Sequence, residues 1–413
     1  MAVFLETFRN GAFVSRGRIA AWVGAILIAW LAALAYLAFT AHGLNDVFGR
    51  PLGTDFSDIY VAGQAALRGD AASAFDPAKQ FAHERLLFGN ATQFYGWHYP
   101  PFFLLIAAPL AALPYIPALI VWQAISFALY LGTMWLLLRA SAAPQVVRDR
   151  IWLLLAAAFP AVFLNLTHGH NGFLTAALLG GGILMLDKRP LLAGVFFGLL
   201  VYKPQFGLMI PVALIAEGRW RAVIAAALTV GVTAIVTTAI FGTAPWAAFV
   251  QFLPYTRTVV LEQGGAGFYK IQSVFAWTRM WGGPVALAYA LQASVTLIVG
   301  ILLFRLWRSD VSPARKGAAL CIASLLATPY CFDYDMMALA PALALLIADG
   351  IARGFRPYEK VMLAGLWLVP LLARPIASLA FVPVGVPVML AAFLLIATRG
   401  ASPAPRRAGL QAQ

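Results

Sequence analysis

From Ala20 to Phe39 the chain runs twenty residues without one charged side chain, and apolar runs of the same character recur almost to its end. In hydrocarbon the backbone must satisfy its own hydrogen bonds, so only helices or closed barrels span a bilayer. Runs of about 20 apolar residues match the thickness that a helix must cross. The composition agrees, with 62% of the 413 residues hydrophobic and 11% charged, against about 25% charged in a soluble domain. The expectation is an all-α polytopic membrane protein. The first run is too long for the apolar region of a secretory signal and lacks a small-residue cleavage site after it, so it is expected to be the first span.

The net charge of +13 does not call for nucleic acid. The basic residues sit in short loops between apolar runs, and such a bias sets which side of the membrane a loop occupies. The one ambiguous piece is 102–113, which is short for a crossing. Read as a re-entrant helix, it gives spans near 20–40, 116–138, 151–167, 172–186, 190–202, 205–216, 222–241, 283–304, 317–332, 336–348, 359–373 and 377–397. That arrangement has about twelve spans, both termini inside, and 20 of the 29 Lys and Arg residues on the inner side. Counting 102–113 as a crossing inverts everything downstream and leaves only eight there. The expected organisation is one integral-membrane domain over 1–399 with a large first periplasmic loop, 42–114, carrying amphipathic or re-entrant helices. A disordered cytoplasmic tail follows at 400–413, and the compartment is a bacterial inner membrane.

Two stretches depart from plain spans. His42 to Pro101 is polar and holds six of the sixteen acidic side chains. Pro190 to Ala216 has basic residues just outside both ends, which implies two short helices meeting at Tyr202-Lys203-Pro204-Gln205, where proline removes a backbone donor. Broken backbone at membrane depth is tolerated where it is buried in protein or lines a cavity. Cys321 and Cys331 are expected on one helix as small core residues, without metal spacing.

With this topology the unusual polar residues collect on the outer face. They are Asp55, Asp58 and His98; then His168, His170 and Asn171; then Lys203 and Gln205; then Tyr255, Arg257, Glu262, Lys270 and Gln272; then Asp333 and Asp335; and finally Arg374. Charges at membrane depth are costly and usually serve function. The inner loops hold no GxxxxGK[ST] or GxGxxG stretch, so chemistry with a soluble nucleotide is not expected.

Seven stretches, in this order, resemble glycosyltransferase family 87 of the GT-C superfamily. They are Thr54-Asp55-Phe56-Ser57-Asp58-Ile59-Tyr60-Val61-Ala62-Gly63, Gly69 to Phe75-Asp76-Pro77, Tyr99-Pro100-Pro101-Phe102, His168-Gly169-His170-Asn171, Tyr202-Lys203-Pro204, Gln272-Ser273-Val274-Phe275 and Thr328-Pro329-Tyr330-Cys331-Phe332-Asp333-Tyr334-Asp335. His170 stands where such enzymes commonly carry Gln. The resemblance implies a GT-C fold, and transfer of a hexose, mannose first among them, from a polyprenyl-phosphate donor to a lipid-linked or glycan acceptor. It implies inversion at the anomeric carbon, an active site on the periplasmic face, and no nucleotide cofactor; no metal is expected either. Membrane lipids, donor and acceptor are the expected partners of a monomer.

Each candidate has a plainer reading beside its functional one. Asp55 is the expected general base, or it caps the helix that follows. Asp58, three residues on, accepts a sugar hydroxyl or is a solvated helix charge. Lys203 faces the donor phosphate or snorkels from a helix end; Arg257 and Lys270 are its rivals or plain interfacial charges. His168, His170, Asn171 and Gln205 bind sugar hydroxyls or belong to polar turns. His98 stacks on sugar or joins an interfacial aromatic belt. Asp333 and Asp335 order the acceptor or favour a helix start. A transporter or flippase of lipid-linked sugar is the alternative function, since broken helices also mark transporters. An oligosaccharide ligase is a third reading, which would need more cations near one loop.

Overall fold

The computed structural model describes residues 2–140 and 149–398. The expected tail at 400–413 lies outside the described residues. The secondary structure is helical, with isolated β-bridges but no β-strand among the described residues. In chain order the α-helices are α1 (Ala2–Asn10), α2 (Arg16–Phe39), α3 (Phe56–Leu67), α4 (Pro77–Phe88), α5 (Leu104–Ala111), α6 (Tyr115–Ala140), α7 (Ile151–Ala157), α8 (Pro160–His168), α9 (Gly172–Met185) and α10 (Pro190–Leu199). They continue with α11 (Met209–Ala216), α12 (Trp220–Phe241), α13 (Ala244–Tyr255), α14 (Val274–Met280), α15 (Val285–Trp307), α16 (Pro313–Leu326), α17 (Leu339–Arg353), α18 (Glu359–Ala380) and α19 (Gly385–Thr398).

The protein is a polytopic membrane protein, but helix length does not count twelve spans. Six helical segments are long and apolar enough to cross, or seven if α7 and α8, bent by 45° at Ala158-Phe159, form one span. The other expected spans are helical but shorter, α10 and α11 being 10 and 8 residues long. Burial separates the long helices. The segment Asp333–Arg353 has 89% of its apolar window inside the protein, against 11% for α2 and for α12. The first is a central post; the other two present most of their surface outward, as helices facing lipid do.

The polar segment is more deeply built in than an amphipathic loop. Helix α3 is buried at ten of its twelve positions. It packs on α5, where a Cβ at Gly63 would lie 2.2 Å from the Ala107 carbonyl oxygen. Helix α5 has only 8 residues, too few for a crossing, in keeping with a re-entrant element. The break at Lys203 is present as 3-10 turns at Leu200–Tyr202 and Pro204–Leu208. The cysteines correct an expectation: Cys321 is in α16, but Cys331 lies in the turn beyond it. Proline 329 ends the helical run before that point, because it disfavours helix at the residue preceding it.

Candidate active site

Asp55 stands just before α3, yet it is no cap. Its backbone is already helical (φ −78°, ψ −15°) and its carboxylate makes no capping hydrogen bond among the described residues. Its backbone N–H instead donates to the His168 carbonyl at 2.9 Å. This stitches the start of α3 to the end of α8. Gly169 ends α8 in the left-handed region (φ 62°), and a Cβ there would lie 2.6 Å from Phe56 Cβ. Glycine is what lets the two turns meet. The Tyr115 hydroxyl donates to the Leu52 carbonyl at 2.7 Å and steadies the approach to Asp55.

Asp55 is half-buried, while Asp58 is 6% exposed. Burial pushes the Asp55 carboxyl above its ordinary range, and the charges of His168 and Lys270 pull it part of the way back. Burial, then the charges of Asp55 and Glu84, push Asp58 well up. A solvated helix charge at Asp58 is therefore ruled out. Desolvation disfavours the charged form of an acid, so Asp55 is more basic than a carboxylate in water.

The turn between α8 and α9 supplies the next wall. Asn165 braces it: its Oδ1 accepts from Gly172 N–H at 2.9 Å, and its Nδ2 donates to the Tyr334 carbonyl at 3.0 Å. His170 stacks on Tyr334 with ring centroids 3.7 Å apart, and its Nε2 meets the Tyr99 hydroxyl at 3.2 Å. His168 stays half-buried, its Nδ1 donating to the Leu164 carbonyl at 2.8 Å. Asp58 Oδ1, His170 Nδ1, both polar side-chain atoms of Asn171, and Gln272 Nε2 are buried without a hydrogen-bond partner among the described residues. Each such group costs about 1–3 kcal/mol, so their concentration around one spot calls for a reason beyond folding.

The charges of the wall are mostly spoken for. Lys203 is 4% exposed and its Nζ donates to Asp335 Oδ1 at 2.5 Å. Asp335 Oδ2 accepts from Phe332 N–H at 3.0 Å. Arg374 from α18 holds Asp333 through Nε at 2.5 Å and Nη2 at 3.1 Å. Lys203 and Arg374 both lie within electrostatic reach of Asp55. Lysine 203 is thus a buried counter-ion, not a snorkelling side chain.

Four expected residues remain: His98, Gln205, Arg257 and Lys270. His98 is half-buried, stacks on Phe252 with ring centroids 5.5 Å apart, and meets Thr256 Oγ1 through Nδ1 at 2.9 Å. Burial lowers its pKa to about 4, so its ring is neutral near pH 7. Gln205 is half-buried in the 3-10 turn after Lys203. Arg257, with 64% of its side chain exposed, leans on Glu262 at 3.3 Å. Lys270 is half-buried at the end of the same connection. The fold therefore gathers Asp55, Asp58, His168, His170, Lys203, Lys270, Asp333 and Asp335 about one centre, and leaves Arg257 outside it.

Sequence reasoning placed Arg374 on the outer face without a role in the site, and gave none to Tyr99, Tyr334 or Glu84. The two tyrosines lie inside quoted motifs, Tyr334 hidden by its acidic neighbours and Tyr99 by the histidine and prolines beside it. Glu84 had no local signal at all. Among the described residues no group of three His, Cys, Asp or Glu side chains is placed to hold a metal ion.

Neither the curated proteins nor the solved structures compared with this chain include a match to it. The model of glycosyltransferase family 87 matches residues 97–329, which spans more than half of the chain and takes in the His168–Asn171 turn, the break at Lys203 and the Gln272–Phe275 stretch. A centre of buried acids, histidines and paired cations at one end of a helical membrane bundle is thereby joined to a sugar-transferring lineage: the chain belongs to glycosyltransferase family 87.

Proposed function

We propose that the protein transfers one hexose, mannose being the first choice, from a polyprenyl-phosphate sugar to a lipid-linked or glycan acceptor, with Asp55 as general base. The carrying observation is the carboxylate itself. It sits where a capping residue would sit, caps nothing, keeps partial exposure, and is held by its backbone at the centre of the polar cluster. The acceptor hydroxyl attacks the anomeric carbon, and its proton passes to Asp55. The bond from that carbon to the phosphate oxygen breaks, and polyprenyl phosphate leaves with the bonding pair. Attack opposite the leaving group inverts the anomeric centre. A positioned carboxylate contributes about 10²–10⁴-fold in such a step, and burial suits Asp55 to it by raising its basicity. The excess of basic residues in the loops at the other end of the helices supports a periplasmic site in a bacterial inner membrane, with both termini cytoplasmic.

The test is transfer from radiolabelled polyprenyl-phosphate mannose by protein in nanodiscs, wild type beside Asp55→Asn. Product from the wild type and its near-loss in a folded Asp55→Asn variant support the reading. Undiminished turnover by the variant removes Asp55 from the mechanism.

A further inference from the structure

We infer that Lys270, and not Lys203, is the side chain that binds the phosphate of the lipid-phosphate ligand. This rests on the reading above and adds to it which cation does the work. A phosphate needs a cation that is not already neutralised. Lys203 is committed to Asp335 at 2.5 Å, and Arg374 to Asp333 through two hydrogen bonds. Taking either for a ligand would strand a buried carboxylate, which is strongly unfavourable. Arg257 is exposed and already shares Glu262. The Lys270 ammonium makes no ion pair and no hydrogen bond among the described residues; it lies over the Tyr269 ring, 5.9 Å from the ring centroid.

The backbone puts Lys270 at the centre. The next residue, Ile271, forms a β-bridge with Phe332, just before Asp333. Gln272 N–H donates to the Cys331 carbonyl at 2.6 Å, and Gln272 Oε1 accepts from Gly385 N–H at 3.0 Å. Upstream the strap turns at Gly264 (φ 67°) and Gly267 (φ 88°), in a region of φ that favours glycine. A Cβ at Gly267 would lie 2.6 Å from the Tyr269 ring. One end of the strap is therefore pinned against the site and the other is turned back by glycines. In-line displacement places the base and the leaving phosphate on opposite sides of the sugar, so the cation should feel the base without pairing with it. Lys270 and Asp55 meet that condition: they interact electrostatically and no ion pair joins them.

The experiment measures binding of polyprenyl phosphate to the full chain in nanodiscs, with polyprenol lacking the phosphate as the control, and transfer activity in parallel. Lys270→Gln should weaken polyprenyl phosphate by about ten- to a hundredfold and leave polyprenol unchanged. Lys270→Arg should restore most of the affinity. The double variant Lys203→Gln with Asp335→Asn, which removes both charges together, should keep it; if that variant does not fold, the two Lys270 variants decide alone. Normal phosphate affinity in a folded Lys270→Gln protein overturns the assignment, as does its loss in a folded double variant. A wild type that binds polyprenyl phosphate and makes product beside a normally binding Lys270→Gln sinks this inference only. A wild type that does neither sinks the proposed function with it.

Discussion

Helix α18 and the segment Asp333–Arg353 each carry charge at both ends, and the two ends are built on opposite principles. At one end lie Asp333, Asp335 and Arg374, with Asp55 and the half-satisfied polar wall. At the other end Arg315 is buried between Asp349 at 2.8 Å and Glu359 at 2.6 Å. Asp349 also meets Arg353 at 3.1 Å, and Glu359 accepts from the Arg356 N–H at 2.8 Å. Beside them Lys316, Glu217, Arg219 and Asp187 form a chain of ion pairs at 2.6 to 2.8 Å. None of these side chains is among the buried polar groups left without a partner, whereas Asp58, His170, Asn171 and Gln272 are. A network closed on itself clamps helix ends. A network with polar atoms left over keeps its bonding capacity for something else.

The largest difference expected between the two ends is catalytic. Asp55→Asn should lower transfer by about 10²–10⁴-fold while its thermal unfolding in detergent stays near that of the wild type. At the closed end the loss should be structural. Arg315→Met leaves buried Glu359 without its cation and Asp349 with only the exposed Arg353, and should cost about 3–5 kcal/mol, read as a lowered unfolding midpoint with normal turnover per folded molecule. A comparable loss of turnover there, at full stability, would erase the contrast.

A pH effect of intermediate size separates the ends further. Burial raises the Glu84 carboxyl from the ordinary 4.5 to about 8, although its Oε2 accepts from the Tyr95 N–H at 3.0 Å. A folded pKa above the unfolded one means that the unfolded chain releases its proton first as pH rises. The stabilisation is complete below about pH 4.5 and is lost by about pH 8. Glu84→Gln should flatten stability across that window, whereas Glu217→Gln should not. The smallest effect belongs to the rim. Arg257→Ala, at a pair with 64% of its arginine exposed, should change stability by less than about 1 kcal/mol and alter polyprenyl-phosphate affinity little.

The parts legible in the sequence were those that depend on local chemistry. Proline at 204 marked the break at Lys203, and the short run at 102–113 marked a helix of only eight residues. The His168-Gly169-His170-Asn171 stretch marked a turn that now meets Asp55. Cys331 was misplaced because an apolar run continues past Leu326 while Pro329 ends the helix. Helix length confirms only six or seven of the twelve expected spans, because hydropathy records how apolar a run is, and a helix buried among other helices is as apolar as one that crosses lipid.

Composition and the order of apolar runs, basic loops and short motifs determined by themselves a helical membrane protein of a glycosyltransferase family with its polar residues converging at one end. Only the tertiary structure decided which charges are spent and which remain. Lys203 meets Asp335 across 132 positions of chain, and Arg374 meets Asp333 across 41. An ion pair forms where two helices bring the side chains within a few ångströms, and no local pattern of residues encodes that distance. Its consequence, a lysine at 270 left over after the others have paired, exists only in three dimensions.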